Sequence, residues 1–180
     1  IHQIVTALAS GEIDYLMDPQ FDLLKLLEGE KDIQIGFPNE FGYQLNVRMN
    51  FLTPPFNDVK ARRAAMLALK QESFLAAIAG NPKFYKVCGA MFTCGTPYAT
   101  DVGSEPFVKG NGMAEAKRML KESSYDGSAI RIVHPTDTNS LKTQPIVAAQ
   151  MLREAGFKVE LVPLDWAGAL ALRANPKPAS

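Results

Sequence analysis

The 180-residue sequence predicts an α/β fold. Three observations carry that reading. Residues 129–133 and 157–161 read as strands separated by an apolar-periodic helix over 143–155, which is the pattern of a βαβ unit. Residues 41–50 alternate strictly, with Phe41, Tyr43, Leu45, Val47 and Met49 on one parity and Gly42, Gln44, Asn46, Arg48 and Asn50 on the other. Helical patterns with recognisable starts and stops fill the sequence between them. Composition agrees: 47% of residues are apolar, an ordinary globular share that rules against disorder. The 19 Lys and Arg balance 19 Asp and Glu, so the basic excess that drives phosphate-backbone binding is missing and a nucleic-acid partner is not expected. No apolar run reaches the roughly 18–20 residues that span a bilayer, so the stretch is not expected to be membrane-spanning.

The first 36 residues read as helix, strand, helix, strand. Ile4, Val5 and Leu8 share a helical face, and Gly11 stands where a stop is expected. Ile13–Leu16 is a strand candidate. Asp18 followed by Pro19 suits the start of a second helix, made apolar by Leu23, Leu24, Leu26 and Leu27 and ended by Gly29. Ile33–Ile35 is a second strand candidate. The alternation at 41–50 predicts a strand with a buried apolar face; the polar face, which carries Asn46, meets water or lines a cleft. Thr53-Pro54-Pro55 is a connection. Asn57 or Asp58 caps a helix over about 59–70, and a further helix carrying Phe74, Leu75 and Ile78 stops at Gly80. Residues 81–111 hold both cysteines among glycines and prolines and read as a long irregular loop, which in a compact domain usually has a function or a staple. Met113–Glu122 is a helix ended by a turn at Asp126-Gly127. The closing βαβ unit is expected to be parallel, with a right-handed crossover, and to lead into a short helix from Trp166 to Arg173. The stretch starts at Ile1 and carries no secretory signal, and its Pro-rich end at 175–180 reads as part of something larger.

Chemistry-bearing motifs are few. Cys88 and Cys94 are the only cysteines, and His2 and His134 the only histidines, so four zinc ligands do not assemble from neighbouring sequence. The cysteines are a disulfide, two buried thiols or, with His134, a nucleophilic pair; in an exported protein the disulfide is the most economical use. Gly110-Asn111-Gly112 lacks the rest of a phosphate loop, and no metalloprotease, hydrolase-elbow or Walker motif is present. The residues therefore do not point to an enzyme or to a metal or other cofactor. Three features suit a small ligand. The loop from His134 to Asn139, containing Thr136, Asp137 and Asn139, leaves the C-terminal end of a parallel strand, where ligands of open α/β sheets tend to sit. Trp166, the only Trp, opens the last helix, and Arg173 lies two turns later on the same face. An aromatic ring and a guanidinium suit a ligand with an apolar part and a carboxylate; the plainer alternative is a core Trp and a solvated Arg.

Several segments, in order, resemble a known family. Ala7-Leu8-Ala9-Ser10-Gly11-Glu12-Ile13-Asp14, then Asn50 with Pro54-Pro55-Phe56-Asn57-Asp58-Val59-Lys60-Ala61-Arg62, then Ala116-Lys117-Arg118-Met119-Leu120 with Tyr125-Asp126-Gly127, then Ala155-Gly156-Phe157-Lys158-Val159-Glu160-Leu161 and Asp165-Trp166 are similar to stretches of the dipeptide/oligopeptide/nickel class of periplasmic solute-binding proteins, extracellular solute-binding family 5. The loop from Cys88 to Cys94 resembles a disulfide-bearing loop of a proteobacterial subgroup. Ala61 stands where the family often has Val. The resemblance implies one lobe of a two-lobed fold, a mixed sheet with flanking helices and a C-terminal βαβ unit. Residues 1–45 would belong to the first lobe and the hinge approach, and 46–180 to the second lobe, incomplete at its C-terminus. It implies a periplasmic monomer that captures small peptides between its lobes and passes them to ABC transporter permease subunits. Nickel chelates, haem or sugars are the alternative cargo, and a cysteine-dependent hydrolase the alternative class. By the same resemblance Trp166, Arg173, Asn46, Thr136, Asp137 and Asn139 approach the ligand, and Cys88 pairs with Cys94. The family's downstream Gly-Trp segment, with the Asp that often grips a peptide amino group, does not occur in this stretch.

Overall fold

A computed structural model of the chain describes residues 2–37, 39–108 and 112–174. The helices are α1 (His2–Ala9), α2 (Phe21–Leu27), α3 (Val59–Ala68), α4 (Gln71–Ala79), α5 (Glu105–Val108), α6 (Gly112–Lys121), α7 (Gln144–Ala155) and α8 (Trp166–Ala174). A 3-10 turn spans Pro82–Phe84, and the strands are β1 (Ile130–Pro135) and β2 (Val159–Leu164). The suggested glycine-rich turn at 110–112 and the tail at 175–180 lie largely or wholly outside the described residues.

The βαβ unit forms where the sequence places it. β1 and β2 pair in parallel from Ile130 against Val159 to Pro135 against Leu164, with α7 as the crossover. Gly156 makes this possible at the end of α7: it adopts a left-handed φ of +107°, and its N–H and that of Phe157 return to the Leu152 carbonyl. An L side chain disfavours that φ, so glycine is the natural stop. Phe157 then turns into the core, 2% exposed, between the rings of Tyr125 and Phe56. The Tyr125 hydroxyl donates to the Ser128 carbonyl and accepts from the Lys158 N–H, both at 2.8 Å, tying the turn after α6 to the approach of β2.

The main core is built by α3, α6 and α7 over the sheet. Ala64, Ala65, Ala68, Ala116, Leu120, Ile130, Leu152, Ala155 and Phe157 form one cluster. α3 presents Ala61, Ala64, Ala65 and Ala68 to its neighbours, and α6 answers with Gly112 and Ala116. These small side chains bring the two backbones together: a Cβ at Gly112 would collide with the Leu67 carbonyl oxygen. A separate, smaller cluster of Val5, Leu23 and Leu27, with Leu8, Ile33 and Ile35, holds the first 37 residues.

Asp58 fastens α3 at its start. One carboxylate oxygen accepts from the Lys60 N–H at 2.7 Å, the other from the Ser124 N–H at 2.6 Å. The Ser124 and Lys60 amides hold the Asp58 carboxyl below its usual range.

The first third departs from the sequence reading. Neither 13–16 nor 33–35 is a strand, and α2 starts at Phe21, past the expected Asp18-Pro19 cap, because Asp18 takes a left-handed φ of +55°. The 41–50 segment pairs with no strand among the described residues. Its apolar parity faces solvent, with Tyr43 89% exposed and Phe41, Leu45 and Val47 more than half exposed; only Met49 packs on the core. Alternation encodes a pleated face but cannot supply the neighbouring ladder that makes a strand of it. The expected mixed sheet is, among the described residues, the parallel β1–β2 pair.

Two consequences are measurable. Replacing Gly112 with Ala, although it raises helix propensity, should destabilise the protein by about 1–3 kcal/mol in urea unfolding, because the added methyl overpacks the α3–α6 contact. A native carboxyl held below its unfolded value adds stability that is complete above the unfolded value and disappears as pH falls through the native one. The Tm advantage of the wild type over Asp58→Asn should therefore be steady near neutral pH and shrink below about pH 4.

Candidate functional site

The site candidates at the C-terminal end of the sheet are organised by main-chain bonds. Thr136 continues the ladder past β1: its N–H donates to the Leu164 carbonyl at 2.9 Å and its hydroxyl to the same oxygen at 3.2 Å. Asp137 then points across to α8, where its Oδ1 accepts from the Trp166 N–H at 2.9 Å and, more weakly, from the Thr138 hydroxyl at 3.4 Å. Asp165 completes the helix start, its Oδ1 accepting from the Gly168 N–H at 2.7 Å. The helix entrance therefore has two carboxylates on its free amides, which is what helix N-termini favour.

The rest of the loop closes on itself. The Thr138 carbonyl accepts from the Leu141 and Lys142 N–H groups at 3.0 and 2.9 Å, and Lys142 Nζ donates to Asn139 Oδ1 at 3.1 Å. His134 Nε2 lies 2.9 Å from the Lys142 carbonyl. His134 is thus a loop anchor.

α8 lies on both strands, and its Ala169 is buried. Trp166 is 40% exposed and Leu170 41% exposed, and Arg173 is exposed. Trp166 is therefore not a core residue, and an aromatic–aliphatic–guanidinium stripe runs about 10 Å along the helix. The structure joins Thr136, Asp137 and Trp166 in one bonded corner, with Arg173 two turns away. It leaves Asn139 on Lys142, and Asn46 exposed in the 42–50 segment without a hydrogen bond to this corner.

Cys88 and Cys94 form a disulfide. The alternative of a thiol nucleophile paired with His134 loses its nucleophile, since both sulfurs are bonded and no described cysteine is free. Sequence reasoning missed two residues that hold this loop. Gln71 donates to the Cys88 carbonyl at 2.9 Å and accepts from the Cys88 N–H at 2.6 Å, and Gln44 donates to the Ala90 carbonyl at 3.2 Å. Two isolated glutamines carry no local motif, so only the fold reveals them. An open groove of about 390 Å³ lies elsewhere, between Leu27, Ile33, Ile35, Phe37 and Phe84, with the Lys83–Glu28 ion pair on its rim at 3.0 Å. None of the expected ligand residues lines it.

The family profile described as bacterial extracellular solute-binding proteins, family 5 (middle), matches residues 2–178. The chain belongs to this family. A probable peptide ABC transporter periplasmic-binding protein, y4tO, of Sinorhizobium fredii is 38% identical over 171 residues, covering 95% of this chain and 32% of its own length. The fold is shared with the ABC transporter substrate-binding protein CtaP of Listeria monocytogenes at a TM-score of 0.73 and 24% identity, over 95% of this chain and 34% of that one. It is shared also with the oligopeptide-binding protein AppA of Bacillus subtilis, solved with a nonapeptide, at 0.68 and 20% identity, over 97% and 36%. The family 5 chain described here thus spans about a third of the length of these relatives. No described helix is long and apolar enough to cross a membrane.

The Asp137 bond makes a local prediction. Asp137→Ala should speed hydrogen exchange at the Trp166 amide, while Asp137→Asn, which keeps an oxygen acceptor, should largely preserve its protection; exchange read by mass spectrometry on peptides starting near 160 checks this.

Proposed function

We propose that the chain is the ligand-facing second lobe, with a piece of the first, of a periplasmic receptor that captures small peptides and delivers them to the permease subunits of an ABC importer. The observation that carries the reading is the bonded corner beyond the sheet. There the loop at Thr136 and Asp137 meets the start of α8, and Trp166 and Arg173 stay exposed on one helix face. An exposed ring offers stacking and apolar contact, and a guanidinium offers a bidentate partner for a peptide carboxylate. The relative named as a probable peptide ABC transporter periplasmic-binding protein supports both the cargo class and the location.

The division of labour within the chain follows the packing. The small cluster of the first 37 residues is distinct from the core that gathers residues from Met49 onward and meets the later chain at Lys83 and Phe84, which supports a lobe boundary near 45. The exposed alternation of 41–47 is what a strand looks like when its sheet is completed by polypeptide outside these residues, and on this reading Asn46 opens the second lobe just past the hinge approach. On this reading the whole receptor is a monomer that encloses its ligand, and closure selects the surface that the permease recognises. These 180 residues alone should bind peptide far more weakly than the whole receptor, since they supply only part of the enclosing surface.

Calorimetry of the whole protein with a mixed short-peptide library tests the proposal. Binding is expected, and Trp166→Ala and Arg173→Ala should each weaken it about tenfold, equivalent to about 1.4 kcal/mol. No peptide heat, or affinity untouched by both substitutions, would count against it.

A further inference from the structure

The disulfide loop touches three separate elements, through hydrogen bonds with two side-chain amides and through close packing of two of its glycines. Gln71, the first residue of α4, brackets Cys88 with a pair of hydrogen bonds that mimics a strand pairing. The Ala90 carbonyl accepts from Gln44, and Gly95 lies under the Phe41 ring, so the loop meets the 41–44 stretch at both ends. Gly89 abuts the segment at α5: a Cβ there would come within 2.5 Å of Ser104 Cβ and Val108 Cγ2. The Cys94 N–H turns back onto Cys88 Sγ at 3.1 Å. Among the described residues no ladder holds the 41–47 segment, and these loop contacts tie it at Phe41 and Gln44.

We propose that the Cys88–Cys94 bond is a redox-controlled latch that fixes the 41–47 segment against α4 and α5. Closing the seven-residue ring removes loop freedom, so the Cys88 and Ala90 main-chain groups already stand where Gln71 and Gln44 bind them. A dithiol reductant opens it. The dithiol loses two electrons and two protons and becomes a cyclic disulfide, the Sγ–Sγ bond breaks, and Cys88 and Cys94 each gain a proton as thiols. The released loop then holds Gln71 and Gln44 less firmly, and the 41–47 segment loosens while the α3–α6–α7 core stays packed. Coupling of this kind is reciprocal: whatever the disulfide lends to the Gln71 and Gln44 bonds, those bonds lend to the disulfide.

The test is a thiol–disulfide equilibrium. Wild type, Gln71→Ala, Gln44→Ala and the remote control Lys83→Ala are equilibrated with graded ratios of reduced to oxidised dithiothreitol. They are then trapped with iodoacetamide and weighed. Gln71→Ala should shift the equilibrium toward the dithiol about fivefold or more, and Gln44→Ala should move it less in the same direction. Lys83→Ala should leave it in place. A Gln71→Ala constant within about twofold of wild type would overturn the latch. Wild type gives a second reading that needs no substitution: reduction should speed hydrogen exchange at Phe41 and Gly42 and leave α7 unchanged. Unchanged exchange at 41–42 would overturn the proposal, and so would exchange that rises through α7 as well, which would mark a global staple and not a local latch.

Discussion

The contact of α3 with α6 is made by almost nothing but backbone, and the second half of the chain depends on it. Ala61, Ala64, Ala65 and Ala68 on one helix and Gly112 and Ala116 on the other remove the side chains that would hold the axes apart. Close approach substitutes many weak dispersion contacts for a few large ones. It also leaves room for Leu120, Leu152 and Phe157 to fill the space between the helices and the sheet. Because Phe157 is the first residue after the stop of α7, this packing sets where β2 begins, and β2 in turn sets the end of the sheet on which the 136–142 loop stands. The polar fasteners follow the same logic. Asp58 binds the start of α3 to the turn after α6, and Tyr125 carries that turn to the approach of β2.

What could be read from the sequence, and what could not, divides along the range of the interactions. The closing βαβ unit was legible because its signals are local: a period-3.6 helix, a glycine at its end and two short apolar runs. Asp58 was one of two suggested caps; it is the one whose carboxylate accepts from the Lys60 N–H, and its second oxygen also reaches Ser124, a partner remote in sequence that no local signal reveals. Trp166 and Arg173 share a helix face as their spacing requires, but the use of Asp137 on the Trp166 amide depends on how far the loop travels past Leu164, which no spacing records. Asn46 and the other residues at 41–50 mark the opposite case. Their alternation is strong and local, yet a strand is a relationship between two segments, and among the described residues none pairs with this one.

The two apolar clusters differ in the same way. The larger is built of elements spread over about a hundred residues and buries its members nearly completely. The smaller draws on short helices and turns near the start, and around it Tyr15, Met17, Phe37 and Tyr43 remain largely in solvent. For a chain that covers about a third of its relatives' length, apolar surface concentrated in the first half is where further polypeptide would have most to bury.

The carboxylate of Asp137 has one more effect on its surroundings. A bare helix start attracts anions, because its unpaired amides and axial dipole both carry positive character. At α8 the leading donor is already taken and a formal negative charge sits on it, with Asp165 beside it. The two carboxylates offset the positive character of the helix start, so this corner invites an anion less than a bare N-terminus does, and among the described residues Arg173 is the cation that α8 itself carries. The exposed face of α8 thus has an acidic end at Asp137 and Asp165 and a basic end at Arg173.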